Sequence, residues 1–409
     1  MKIHAITLLT AALACVAPTY ALEIDPQVPP EINLGGRAII STDFETTSLA
    51  NGARDHNNRQ DISDTSLLFG FSKYLFNSRD YAFATAGFKS VEADTDLRDD
   101  IYLHQLFAGI GGKHYEILLG RTQLPNTLLS FPTLRDSDLL AYTHVGNTQV
   151  NATAEEYQIY GGQVRAQYWF SDFVSARAAV TARSARDPDN PARVLSSDYN
   201  GGTLTLAYDA PEAIKFDRGV RYAGIGVDRQ RFDPLLAETQ GQATALLAGL
   251  SLNLNNQPEY SWNLDLQGIV NRGERVTSLA QTFQRARADS RAVVAALRYR
   301  HSPALQTRWQ AALNLGWKDY PNFSDATSVV VAPTYTYRLG SGVDFTGQYL
   351  YQHNQGALAT ATGIDSEHRI MLGLSFAFAY TFNETVGERG DILNIEHNLL
   401  DLGPAGGGH

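Results

Sequence analysis

The chain has 409 residues, 19% of them charged, a formal net charge of −10 and a mean hydropathy of −0.23. An anionic balance of this kind argues against nucleic acid as a partner, because phosphate binding is driven by Lys and Arg. Cys15 is the only cysteine, which leaves no disulfide framework and no thiolate metal site, and no apolar run reaches the roughly 18 residues of a membrane-crossing helix.

The first element is Lys2 followed by the apolar run Ala5 to Ala17 and by Thr19-Tyr20-Ala21. This order predicts a secretory signal peptide over residues 1–21. Lipidation at Cys15 is the alternative, but Ala12 stands where such sites prefer a larger aliphatic residue.

Beyond residue 30 the dominant signal is alternation. In YSWNLDLQGIVN, apolar Tyr260, Trp262, Leu264, Leu266 and Val270 interleave with polar Ser261, Asn263, Asp265, Gln267 and Asn271, and Ile269 is the one lapse. Successive side chains of a strand point to opposite faces, so the segment has one apolar and one polar face. The pattern recurs over 32–41, 65–75, 81–91, 101–110, 114–121, 156–169, 173–183 and 201–208. It continues over 219–230, 242–254, 259–271, 291–301, 306–318, 327–338, 342–353 and 367–382. These are about 16 strands of about ten residues, an even number at the length that spans a bilayer when tilted.

Short connections fall at Asn77, Gly111, Ser171, Asn255, Ser302 and Leu339. Long ones cover 42–64, 92–100, 122–155, 184–200, 231–241, 272–290, 319–326 and 354–366. Alternation of short and long puts the tight turns at one end of the strands and the long loops at the other. A soluble sandwich with this many strands would have to protect its edges. A closed antiparallel transmembrane β-barrel has none, with apolar faces on lipid and polar faces on water. Aromatic residues at strand ends (Trp309 and Trp317, Tyr260 and Trp262, Tyr349 and Tyr351, Tyr380 and Phe382) fit the girdles of such a barrel.

Two stretches carry a family resemblance. FAGIGGKHYEILLGR, residues 107–121, looks like the hairpin that ends in Gly-Arg before the third loop of the general diffusion porins of Gram-negative outer membranes. MLGLSFAFAYTF, residues 371–382, resembles their closing strand with its terminal Phe. The resemblance implies a third loop folded into the pore, acidic residues on it facing basic residues on the wall, and a homotrimer. On that basis Asp136 and Asp138 are the acidic tip of the loop, Glu155 and Glu156 lie at its exit, and Arg121 precedes it. The acidic Pro-Glu-Phe-type motif of enteric porins is absent, and the loop is unusually rich in Leu.

Parity separately places Arg37, Arg165, Arg177, Arg183, Arg298, Arg300, Arg308, Lys318, Arg338 and Arg369 on the polar face, with Asp265 and Asp344 the clearest acids there. Such residues either keep the lumen wet and pair with loop acids or form a filter that favours anions, since basic rings bias a pore either way against loop acids. The histidines, among them His56, His104, His114, His144, His301, His353 and His368, are scattered outside any nucleophile or metal motif. No enzyme and no cofactor is expected. After Phe382, the segment DILNIEHNLLDLG reads as a short amphipathic helix in a tail. Residues 1–21 are thus expected to be a signal peptide, 22–30 a short periplasmic segment, 31–382 the barrel and 383–409 a periplasmic tail. The expected function is an outer-membrane porin for passive diffusion of small hydrophilic solutes or ions, biased towards anions and surrounded by outer-membrane lipid and lipopolysaccharide. The alternative is a barrel that binds a periplasmic partner through its tail, in an export or structural role.

Overall fold

The computed structural model describes residues 30–61, 65–75, 80–92, 99–123, 125, 128–134, 139, 160–182, 186–187, 190–194, 201–210, 218–232, 241–255, 257, 259–272, 289–302, 308–340 and 343–382. The expected signal peptide, Arg183, Asp136, Asp138, Glu155, Glu156 and the tail 383–409 lie outside the described residues.

In chain order the strands are β1 (Glu31–Leu49), β2 (Arg54–Asp61), β3 (Ser66–Tyr74), β4 (Tyr81–Glu92), β5 (Asp99–Gly111) and β6 (Tyr115–Gln123). Then come β7 (Tyr160–Trp169), β8 (Val174–Ala182), β9 (Arg186–Asp187), β10 (Asn190–Val194), β11 (Gly201–Asp209) and β12 (Gly219–Phe232). They are followed by β13 (Gly241–Asn253), β14 (Tyr260–Arg272), β15 (Ser290–His301), β16 (Trp309–Asp319), β17 (Thr327–Gly340), β18 (Val343–Asn354) and β19 (Ile364–Phe382). A single short helix, α1 (Ala357–Thr362), sits between the last two among the described residues.

Sixteen of these strands form a closed antiparallel barrel, in which each pairs with its sequence neighbours and β1 pairs with β19 from Ile32 to Leu49. Closure gives every strand two partners, the condition for burying a sheet in lipid. All sixteen expected segments are barrel strands. The region 42–64, expected as a loop, is mostly strand: β1 runs on to Leu49 and β2 pairs with its Ser41–Ser48 half. At the break before β3, Thr65 Oγ1 accepts from Ile39 N at 3.1 Å and so fills the gap in the ladder. β9 and β10 form a separate two-stranded ribbon.

The outward face is apolar, with Leu204 60%, Ile225 59%, Leu246 57% and Ile370 51% exposed. An aromatic row crosses the short-turn end of β14–β17: Trp262 and Trp309 each lie 4.9 Å from Tyr299, and Trp309 lies 5.9 Å from Tyr335. Trp317 ends the same strand at the long-loop side, eight residues from Trp309. That separation is about 27 Å along a strand and less across a membrane once tilted, which matches an apolar band of roughly 25 Å.

The opposite parity is polar and buried: Gln105, Thr181, Asp228, Gln310 and Thr336 are each at most 1% exposed. It also contains an apolar strip. Ile39, Ala292, Val294, Ala296, Val330, Ala332, Leu350 and Met371 have the parity of their polar neighbours, and they pack with Phe131, Leu134 and Leu139 of the connection after β6. Ile269, with Ala245 and Leu247, packs with Leu128 of the same connection. Polar wall side chains hold its backbone: Leu129 N donates to Gln267 Oε1 at 3.0 Å, Leu134 N donates to Gln348 Oε1, and Pro132 O accepts from Asn314 Nδ2 at 2.8 Å. A Cβ added at Gly373 would lie 2.9 Å from Leu134 Cδ1, so the leucine packs directly on the bare backbone of β19.

Gly120, just before Arg121, has φ +139, and a Cβ there would lie 2.3 Å from Leu106 O and 2.5 Å from Phe107 Cα. Both the backbone region and the close approach require glycine. Gly120→Val is therefore expected to destabilise the barrel by at least about 2 kcal/mol. Heat-modifiability on unboiled gels should show loss of the compact form, whereas Gly268→Ala, whose Cβ meets nothing within 4 Å, should run as wild type. Equal behaviour of the two variants would contradict the strain argument.

Candidate functional site

The buried parity of the strands builds a wall in which basic and acidic side chains face one another across adjacent strands. On β7, Arg165 lies between Gln163 and Gln167 and bonds Glu116 of β6 at 3.2 Å, with both residues about 5% exposed or less. Gln163 Nε2 donates to Thr122 O at 3.1 Å, which fixes the neighbouring rung. On β15, Arg298 bonds Asp265 of β14 at 2.8 Å, and Ser251 Oγ of β13 donates to the other carboxylate oxygen at 2.6 Å. Arg338 of β17 meets Asp344 of β18 at 3.0 Å. These three pairs are all in the half of the barrel nearer the short turns.

The long-loop half has its own set. Arg369 pairs with Glu367 on its own strand and with Glu45 of β1 at 3.6 Å. Thr203 Oγ1 donates to Asp228 Oδ1 at 2.6 Å, and Lys318 Nζ lies 5.3 Å from the centroid of Tyr320. Arg37, Arg177 and Arg300 share the buried parity; in register, Arg37 faces Ser66 and Ala377, Arg177 faces Gln167 and Thr205, and Arg300 faces Ser261 and Gln310.

The barrel thus brings Arg37, Arg165, Arg177, Arg298, Arg300, Arg338 and Arg369 to one face. Arg308 is exposed at the turn before β16, where its backbone bridges His301 and Arg338. Arg121 stands opposite Leu106 and Gly162 in register, is half-buried with a buried Nη2, and directly follows Gly120, whose φ of +139 interrupts the regular alternation there. Glu116, Asp228, Glu45 and Glu367 are acids of this wall that sequence reading left out. Asp228 was legible, since it alternates with Val227 and Arg229 on a strand whose other face is apolar. Glu116 was not, because its neighbours Ile117, Leu118 and Leu119 are apolar on both faces.

The wall is asymmetric. Going round the barrel, β7 and β8 stand diametrically opposite β17 and β18, because six staves separate the two pairs on either side. Arg165 and Arg177 therefore face the side that carries the apolar strip and the connection 128–139. Among the described residues no group of three or more His, Cys, Asp or Glu is placed to hold a metal ion.

No protein-family model matches the chain, and no curated protein matches it in sequence. Solved structures do match. The outer membrane channel DcaP of Acinetobacter baumannii superposes with a TM-score of 0.59 at 12% identity, over 88% of this chain and 100% of that one. The anion-selective porin from Comamonas acidovorans gives 0.56 at 13% identity, over 86% and 100%. The trimer form of Vibrio cholerae OmpT gives 0.53 at 10% identity, over 85% and 99%. At such identities the likeness is one of architecture, and the architecture is the sixteen-stranded barrel of Gram-negative outer-membrane porins.

Proposed function

We propose that the protein is an outer-membrane porin, a water-filled channel for passive diffusion of small hydrophilic solutes with a bias towards anions. The observation that carries this reading is the sorting of one closed sheet into an apolar exterior and a polar, arginine-rich interior. Lipid accepts the first face and water the second. In this reading Leu128, Phe131, Leu134 and Leu139 of the connection after β6, which pack on wall residues of β13–β19 and β1, narrow the pore from that side. What remains of the channel runs past Arg165 and Arg177, with Asp136 and Asp138 as the acids of the loop.

An even-stranded barrel returns both ends of the chain to the short-turn side, which is the periplasmic side in this reading. The flat row Ala176 and Ala178 and the aromatic outer face of β19, β1 and β3 suit contact between copies, and the trimer form solved for Vibrio cholerae OmpT supports a homotrimer here. Protease added to intact cells should cut in long connections such as 272–290. Cleavage at Asn77 or Leu339 under those conditions would invert the topology.

Ion selectivity tests the wall. Replacing Arg165 and Arg177 by Gln leaves Glu116 as the local charge, so reversal potentials in a salt gradient should move towards cations. The permeability ratio should change about threefold, on the order of 1 kcal/mol of screened interaction. Neutralising Asp136 and Asp138 should move it the other way, and an unchanged potential in both variants would remove these residues from the filter.

The loop is tested by conductance. Leu134→Ser with Phe131→Ser removes two apolar contacts worth about 2 kcal/mol or more each. The expected result is a larger or noisier single-channel conductance from a barrel that still forms. Conductance identical to wild type would mean that the segment does not narrow the pore.

A further inference from the structure

The inward face of β16 carries two amides that the protein leaves partly unused. Gln310 is the second residue of the strand, just inside the short-turn mouth, and Asn314 lies four residues further in. They are 1% and 0% exposed, on the same parity as Ala312, which stands opposite Arg298. Asn314 Nδ2 donates to Pro132 O at 2.8 Å and to Ala332 O at 2.9 Å, and these two carbonyls fix which end of the amide faces them. Its Oδ1 is buried and accepts no hydrogen bond. Neither Nε2 nor Oε1 of Gln310 has a partner among the described residues. Buried polar atoms are nearly always paired, so three unpaired ones on one face of one strand point to a partner from outside the chain.

The neighbours explain why the chain itself provides none. Thr336, opposite Gln310 on β17, is engaged with Thr346 at 3.1 Å. Arg300, opposite on β15, has donors only and cannot serve the amide nitrogen. Ala312, between the two amides, is too short to reach either. The two oxygens therefore need donors, and the nitrogen needs an acceptor. The surrounding charge is basic: Arg298 and Arg338 hold Asp265 and Asp344, and Arg300 adds a third guanidinium. A plain anion only accepts and would leave both amide oxygens bare. A neutral polyol forgoes the charge-assisted bond to arginine, and the ammonium of a zwitterion would sit among three cations. The four residues from Gln310 to Asn314 span about 13 Å of strand, which suits a chain of several carbons better than one small ion.

We propose that Gln310, Asn314 and Arg300 form a solute subsite in the lumen for a polyhydroxy carboxylate, the chemistry of an open-chain sugar acid. The carboxylate sits on Arg300, whose long stem swings to admit it, and hydroxyls donate to Gln310 Oε1 and Asn314 Oδ1. The assignment rests on the water-filled channel of the functional reading above, and it names the solute class of that channel.

Saturation-transfer NMR on the full detergent-purified protein tests it with three probes. Gluconate has both features, sorbitol has the hydroxyls without the charge, and propionate has the charge without the hydroxyls. Gluconate should give a saturable signal, with the other two bound at least tenfold more weakly. Gln310→Leu should weaken gluconate about tenfold, the usual effect of losing one hydrogen bond in a charged complex. Arg300→Gln should bring gluconate down to the level of sorbitol. Heat-modifiability shows that each variant is folded, and Gln310→Asn, which draws the amide back by one methylene, gives the same reading should the leucine variant fail to fold. Equal binding of the three probes, as when water alone fills the site, or wild-type binding of gluconate in both variants, would overturn the proposal. Planar-bilayer conductance, read separately, tells the two readings apart. A wild type that binds gluconate but passes no ions overturns the channel and keeps the site, whereas one that conducts and binds all three probes alike overturns the site alone.

Discussion

The pairing of β1 with β19 is the constraint on which everything else in this molecule depends. A sheet of this length left open would expose a row of N–H and C=O groups at each edge, and in hydrocarbon each such group costs several kcal/mol. The seam runs from Ile32 against Phe382 to Leu49 against Ile364, so the two ends of the barrel sequence complete each other. Closure also makes side-chain parity absolute. Once the tube exists, residues of the regular membrane-crossing stretches are either lipid-facing or lumen-facing, and a one-residue slip would exchange the two sets.

Given closure, the lumen wall cannot be polar everywhere and still hold a loop by packing. The strip of Ile39, Val294, Val330, Leu350 and Met371 would be exposed to water in an unobstructed tube, at a cost of about 2 kcal/mol for each large side chain. Phe131, Leu134 and Leu139 cover it. The polar residues interspersed in the strip serve the same contact, because Gln267, Gln348 and Asn314 bond the backbone that the apolar side chains bring near. The leucine-rich composition of this connection, odd for a loop in water, is thus the complement of apolar residues at lumen positions of β13–β19.

Much of this was legible in the sequence. All sixteen barrel strands appear as strand segments and fourteen of them as clear alternation, since period two is a local property that needs no tertiary information, while 81–91 and 101–110 are ambiguous in parity. Ile269 stood out at once as a lapse in an otherwise strict alternation, but its reason lies in Leu128, some 140 residues earlier, and no periodicity connects the two. Val294 and Ala296 were equally visible on the polar face of β15 and equally unexplained. The extension of β1 and β2 beyond the barrel was missed for a different reason. ETTSLANGARDHNNRQ is polar on both faces because neither face meets lipid, and parity reading has nothing to detect there.

The charge of the lumen follows from how its arginines are held. Arg165 with Glu116, Arg298 with Asp265 and Arg338 with Asp344 are cross-strand pairs on adjacent staves. A short pair between neighbouring strands lies along the wall, and it contributes a dipole more than a net charge to the field in the channel. Arg338 grips its partner with two nitrogens, Nε and Nη2 on the two oxygens of Asp344. Arg37, Arg177, Arg300 and Lys318 among the bases and Glu31, Asp43 and Asp228 among the acids add to the charge of the same wall. The net charge of −10 does not report the wall, because carboxylates outside the lumen contribute to the total but are screened from its interior beyond a Debye length of about 8 Å. Overall charge thus describes the surface that solvent sees, while selectivity is decided by the few side chains whose parity turns them inward.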